Sequence, residues 1–235
     1  MKDIAVILPA AGKSTRFGDM FQSKVYVLLN NRAVWLHAAD AFLDHPRVSQ
    51  VIVVVDPDER QTFTEKFGGT ASMMGIEIVT GGKERWQSVQ NGLGKVKADA
   101  KLVAIHDAAR PCIARTWLDS VFEKADETGA AILASPIYGT VKRVGGQKII
   151  DQTVPREGLW QAQTPQVFKR ELICRAYADR RIPNPTDDAE LVEKLGVPVT
   201  VVEASPLNIK ITTKEDLKFA EFALRSLPKA RPFPF

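Results

Sequence analysis

Residues 8–18 read Leu-Pro-Ala-Ala-Gly-Lys-Ser-Thr-Arg-Phe-Gly and lead through a polar turn to Lys24, directly after the apolar run Ile4–Leu8. A loop of small residues at a strand end lets backbone N–H groups and the cations Arg16 and Lys24 converge on one anion, the chemistry of a phosphate or nucleotide site. Neither common phosphate fingerprint fits. A Walker loop ending in Gly12-Lys13-Ser14 needs its first glycine where Ile7 stands, and a dinucleotide loop needs glycine where Ser14 stands.

Three further groups carry chemistry. His106-Asp107-Ala108-Ala109-Arg110 follows the apolar run Leu102–Ile105. A carboxylate there, beside a phosphate loop, suits Mg²⁺, which takes one or two carboxylates together with phosphate oxygens, so Asp107 is the predicted metal ligand. His106 is a candidate base, although a lone histidine is more often a packing residue. Arg110 either pairs with Asp107 or takes a second anion. Gly81-Gly82-Lys83-Glu84-Arg85-Trp86-Gln87-Ser88 reads as a strand-to-helix turn in which glycine supplies an unusual φ, with Ser88 in reach of a base or ribose. Thr186, followed by Asp187 and Asp188, reads as a helix N-cap. Lys210 lies between Ile209 and Ile211, where an inward cation needs a protein carboxylate or a substrate phosphate.

The elements that must hold these groups follow from hydrophobic pattern. Short, nearly continuous apolar runs at Ile4–Leu8, Val51–Val55, Ile76–Val79, Leu102–Ile105 and Ala131–Ala134 predict strands buried on both faces. Helical spacing over Ala33–Leu43, Pro57–Phe67, Arg85–Leu93 and Trp117–Ala125 lies between them. The alternation predicts an α/β fold with a doubly wound, mostly parallel sheet, whose ligands bind beyond the carboxyl ends of the strands. Two β-prone stretches around Gly145-Gly146 predict a two-residue hairpin turn in a protruding arm, at about residues 138–157. A two-stranded arm is marginally stable alone, so a second copy of the chain is its expected support. Strands near Gln163–Phe168 and Val197–Val202, and helices at Arg170–Ala178, Asp187–Leu195 and about Lys214–Leu224, complete one domain. The proline-bearing end, Pro228–Phe235, reads as an extended tail.

Composition narrows the partners. A net charge of +4 without any dense basic block argues for an acidic small molecule over nucleic acid. Two cysteines, Cys112 and Cys174, make neither a disulfide framework nor a metal site, and a cytoplasmic location is expected. No apolar run is long enough for a membrane span.

The motifs Pro9–Gly18, His106–Pro111, Gly158–Gln166 and Asn208–Thr212, in this order, resemble those of the 2-C-methyl-D-erythritol 4-phosphate cytidylyltransferases of the non-mevalonate isoprenoid pathway. The resemblance implies a Rossmann-like sheet and an arm that reaches across a homodimer. It implies that Arg16 and Lys24 stabilise charge on the phosphates of CTP, and that Ala10, Ala11, Gly12, Gly82, Ser88 and Ala108 line the cytidine site with Asp107 on magnesium. Arg156 and Lys210 would position the acceptor phosphate, helped by Thr140, Thr164, Thr186 and Arg110, with Thr140 and Arg156 arriving from the neighbouring subunit. Val25 and Ser23 depart from the family's usual Gln and Pro around the catalytic lysine, and Gly139 and Leu207 stand where an acidic residue is common. Two alternatives remain at this point: transfer to ribitol 5-phosphate, and a nucleotide-binding regulatory module without catalysis.

Overall fold

The computed structural model describes residues 2–12, 25–179 and 182–228. The chain begins with β1 (Ile4–Pro9), a two-residue ribbon β2 (Leu28–Leu29) and β3 (Arg32–Ala33), α1 (Val34–Leu43), β4 (Val48–Val55), α2 (Arg60–Met73), β5 (Ile76–Thr80) and α3 (Arg85–Leu93). It continues through β6 (Leu102–Ile105), α4 (Arg115–Thr128), β7 (Ala130–Pro136), the arm strands β8 (Val141–Val144) and β9 (Ile150–Val154), and β10 (Trp160–Lys169). The last elements are α5 (Arg170–Ala178), α6 (Asp188–Lys194), β11 (Thr200–Glu203) and α7 (Lys214–Ser226).

Seven strands form the central sheet in the order β11-β7-β10-β6-β1-β4-β5. The side chains of β1 explain its central place. Val6 and Leu8 enter one apolar layer with Trp35, Phe42, Phe63 and Phe122, whereas Ile7 enters the opposite layer with Val54, Val89, Phe168 and Tyr177. Alternation with period two delivers apolar groups to both faces, so helices cover both. The sheet is parallel except at β10, which pairs antiparallel with β6 and β7. A hairpin arm, not a crossover helix, connects β7 to β10, and a chain that turns back without a crossover must run in reverse.

From β1 the chain moves to β4 and β5 on one side, then crosses to β6 on the other. The order of connection thus reverses between β1 and β6, the place at the carboxyl edge where an open α/β sheet holds its ligand. The expected doubly wound, mostly parallel sheet is the one observed.

Three local expectations differ. Helix α2 starts at Arg60, because Asp56 accepts the Asp58 N–H at 2.9 Å and holds residues 57–59 in a turn, and it runs through Gly68 and Gly69 to Met73. The arm does not use a two-residue glycine turn. Residues 145–149 form the connection, with Lys148 at φ 58° and neither glycine at positive φ, and Gly145 donates to Ile149 O at 3.0 Å. A tight primed turn needs positive φ at its first or both central residues, so a longer loop with one left-handed residue replaces it. The last strand occupies Thr200–Glu203 and not Val197–Val202.

The arm leaves Tyr138, Val144, Ile149, Ile150, Leu159 and Trp160 exposed. Among the described residues no helix is long and apolar enough to cross a membrane.

Helix α3 lies unusually close to the sheet at Gly92, where an added Cβ would sit 2.8 Å from Ile7 Cγ2 and 3.2 Å from Val54 Cγ2. Both neighbours belong to strands and cannot yield far. Gly92→Val is expected to destabilise the fold by about 1–3 kcal/mol through overpacking. Urea unfolding with an unchanged slope and a lower midpoint would register it.

Candidate active site

A cavity of about 930 Å³ opens at the carboxyl edge of the sheet. Its walls are Pro9–Gly12 at the end of β1, Asp56–Asp58 after β4, Gly82–Arg85 with Ser88 after β5, and Asp107 with Ala109 after β6. Val25 and Lys210 close it. Ala10, Ala11, Gly12, Gly82, Ser88, Asp107 and Lys210 are thus brought together as the sequence suggested, and the Asp56–Asp58 wall is an addition.

The double glycine has a different cause from the one expected. Neither Gly81 nor Gly82 takes a positive φ; the space is what requires glycine. A Cβ on Gly81 would lie 2.6 Å from Ser88 Oγ and 3.1 Å from Val55 O, and one on Gly82 would lie 2.4 Å from Gln87 Cβ. Ser88 Oγ accepts the Gly82 N–H at 3.2 Å and donates to Glu84 O at 3.3 Å, so its hydroxyl shapes this turn. A capping box between Glu84 and Gln87 starts α3 and aims Arg85, its first residue, at the cavity.

Asp107 is the electrostatic centre. Its Oδ1 lies 3.3 Å from Arg85 Nε, and its Oδ2 lies 2.8 Å from Lys210 Nζ and 3.5 Å from Arg110 Nε. Burial alone would raise its pKa, but Arg85, Lys210 and Arg110 together hold the carboxyl well below the usual range. Arg85 also reaches Asp188 at 2.8 Å. Three cations against two carboxylates leave the cluster positive, which favours an anionic ligand.

Lys210 does not lie in a strand. It is carried to Asp107 by Asn208, whose backbone carbonyl accepts from Arg110 Nη1 at 2.7 Å, and by Ile211, whose N–H donates to Ala109 O at 2.8 Å. The wholly buried Asn208 side chain donates to Thr164 O at 2.8 Å and Gln163 Oε1 at 3.0 Å. Of the two partners the sequence allowed Lys210, the structure uses the protein carboxylate.

His106 is a packing residue. It is fully buried, its ring stands at 5.0 Å from Phe42, and its Nε2 donates to Arg110 O at 2.9 Å. That bond assigns the tautomer, leaving Nδ1 to accept from the Thr164 hydroxyl at 3.1 Å, whose oxygen accepts the Asp107 N–H at 3.0 Å. Thr164 therefore works behind the cavity wall. Burial pushes the imidazole pKa down to about 4, which keeps it neutral.

Other predicted residues lie elsewhere. Ala108 is wholly buried, with its N–H on Pro9 O at 3.3 Å, while Asp107 and Ala109 on either side line the cavity. Thr140 and Arg156 are exposed on the arm, where Arg156 Nη1 donates to Tyr138 O, and neither lines the cavity. The cap of α6 is Asp187, which accepts the Glu190 N–H at 2.9 Å; Thr186, one residue earlier, is exposed and donates its N–H and hydroxyl to Glu190. Arg16 and Lys24 fall outside the described residues.

The donor set bears on magnesium. Among the described residues no group of three or more His, Cys, Asp or Glu side chains could hold a metal ion. Asp107 offers one carboxylate whose oxygens already face three cations. A hard divalent ion fits here only together with phosphate oxygens that supply the remaining ligands and charge.

The family model for IspD, 2-C-methyl-D-erythritol 4-phosphate cytidylyltransferase, matches residues 4–226. A relative of that name from Rhodopirellula baltica is 42% identical over 232 residues, covering 94% of each chain. One from Desulforamulus reducens is 40% identical and covers 96% of this chain and 97% of its own. A crystal structure of 4-diphosphocytidyl-2C-methyl-D-erythritol synthase superposes with a TM-score of 0.81 at 32% identity, over 95% of this chain and 99% of that one. The 2-C-methyl-D-erythritol 4-phosphate cytidylyltransferase of Thermus thermophilus gives 0.78 at 31% identity over the same shares.

The buried imidazole makes stability depend on pH. Folding lowers the His106 pKa from its ordinary 6.5 to about 4, so between these values the unfolded chain binds the extra proton. Its contribution is present above pH 6.5 and is lost as pH falls toward 4, by up to about 3 kcal/mol. His45, also lowered by burial, adds a slope of the same sign. In urea unfolding at pH 7.5 and at pH 5, His106→Asn is expected to show a smaller loss between the two than the parent chain.

Proposed function

We infer that this chain, which belongs to the 2-C-methyl-D-erythritol 4-phosphate cytidylyltransferase family, is a working transferase. It moves CMP from CTP to 2-C-methyl-D-erythritol 4-phosphate and releases pyrophosphate, a step of isoprenoid biosynthesis. The observation that carries this reading to the residue level is the convergence of Arg85, Arg110 and Lys210 on Asp107, a residue of the cavity wall at the strand ends.

A phosphate oxygen of the acceptor attacks the α-phosphorus of CTP in line; the bond from that phosphorus to the bridging oxygen breaks, and its electrons leave with pyrophosphate. The nucleophile is already an anion near neutral pH, so no side-chain base is required, consistent with a neutral, buried His106. The barrier is repulsion. Two unit charges at ~4 Å in an effective dielectric of ~20 oppose each other by about 4 kcal/mol. Cations fixed before the reaction offset that term and stabilise the five-coordinate phosphorus.

In this reading the backbone of Ala10–Gly12 and the bare Gly82 admit the nucleotide, and Lys210 turns part of its charge to the acceptor phosphate. Arg16 and Lys24 hold the phosphates of CTP. Asp107 would hold Mg²⁺ together with triphosphate oxygens, and the ion would supply charge neutralisation there. Arg156 and Thr140 serve the cavity of a second copy: they lie outside that of their own chain, on an arm whose exposed apolar side chains need cover. Two free cysteines suit a reducing cytoplasm.

Pyrophosphate release should be fast with CTP, Mg²⁺ and 2-C-methyl-D-erythritol 4-phosphate and much slower with ribitol 5-phosphate. The reverse preference, or CTP binding without turnover on either acceptor, would refute the assignment. EDTA should abolish release and added Mg²⁺ restore it. Lys24→Ala should lower kcat by about 100-fold or more while KM for CTP changes only a few-fold, the pattern of a group acting in the transition state.

A further inference from the structure

Arg85 joins two carboxylates from distant parts of the chain. Its Nε is 3.3 Å from Asp107 on the cavity, and its Nη2 is 2.8 Å from Asp188, 103 residues further along. Asp188 opens α6, is wholly buried and does not line the cavity. Its second oxygen accepts the Tyr177 hydroxyl at 2.5 Å. A buried carboxylate requires a counter-charge, and Arg85 supplies it from the nucleotide side of the site.

Gln166 on β10 completes the attachment. Its Oε1 accepts the N–H groups of Asp188 and Ala189 at 3.0 and 2.9 Å, and its Nε2 donates to Asp187 at 2.8 Å. The turn from Thr186 to Asp188 is thus fixed from α3, α5 and β10 at once. The fork of one guanidinium spans both carboxylates, which the single ammonium of lysine cannot do in the same geometry.

We propose that Arg85 is a positioning residue for the acceptor: anchored on Asp188 and the fixed turn around it, Arg85 holds Asp107 and through it Lys210, the group turned to the acceptor phosphate. The proposal rests on the cytidylyltransferase reading above. Because Arg85 itself lines the nucleotide cavity, Asp188 is the place to test the link.

The test is steady-state kinetics of the full-length enzyme with each substrate varied in turn. Asp188→Asn should raise KM for 2-C-methyl-D-erythritol 4-phosphate at least fivefold and leave KM for CTP within twofold; Tyr177→Phe should move the same constant less. Adding Asp188→Asn to Arg85→Lys should raise the acceptor KM no further than Arg85→Lys alone. A purely structural role would lower the melting temperature and active fraction without separating the two KM values. Equal rises in both, an acceptor KM unchanged in folded variants, or additive effects in the double variant would overturn the proposal. Should Asp188→Asn not fold, the Tyr177→Phe split decides. A parent enzyme that releases no pyrophosphate with this acceptor would instead refute the functional reading, which the same assay reports first.

Discussion

One ionised carboxylate organises this site. Asp107 is nearly buried, and its charge is tolerable only because cations from α3, from its own loop and from the 208–211 segment reach it. The dependence is mutual: without Asp107, three positive groups would lose the carboxylate they share. The arrangement fixes long, flexible side chains before any ligand arrives, with Arg85 and Lys210 held at the cavity wall.

The reversed strand β10 makes this assembly possible. Its register against β7 shifts between Ala162 and Gln166, and the polar residues at that irregularity each tie down a different part of the site. Gln163 holds Asn208, Thr164 holds His106 and the Asp107 amide, and Gln166 holds the start of α6. A regular ladder would send alternate side chains to opposite faces. Here three polar groups within four residues serve different segments around the site.

The sheet was legible in the sequence because its strands are short, apolar and buried on both faces, and because helices alternate with them. Turn geometry was less so. Gly145-Gly146 suggested a two-residue hairpin, but the pairing of β8 with β9 places the left-handed residue at Lys148. The loop motifs at Ala10–Gly12, Gly82 and Asp107 pointed to the cavity they line, since strand ends share one edge. Arg85 stood inside a motif that the sequence displayed, yet its partner Asp188 lies on another element and no local spacing relates them. Asp187 displaced Thr186 as the cap of α6 because the Thr186 N–H and hydroxyl are bound to Glu190 instead.

The close approach at Gly92 reaches further than packing. Gly92 and Arg85 lie near opposite ends of α3, seven residues or about 10 Å apart along its axis. The helix is a rigid lever whose rear end rests on Ile7 and Val54. A single methyl group at that fulcrum would tilt the far end, and with it the guanidinium that spans Asp107 and Asp188. A position outside the cavity wall would thereby govern the geometry of the charged cluster, and its demand for glycine would extend beyond packing.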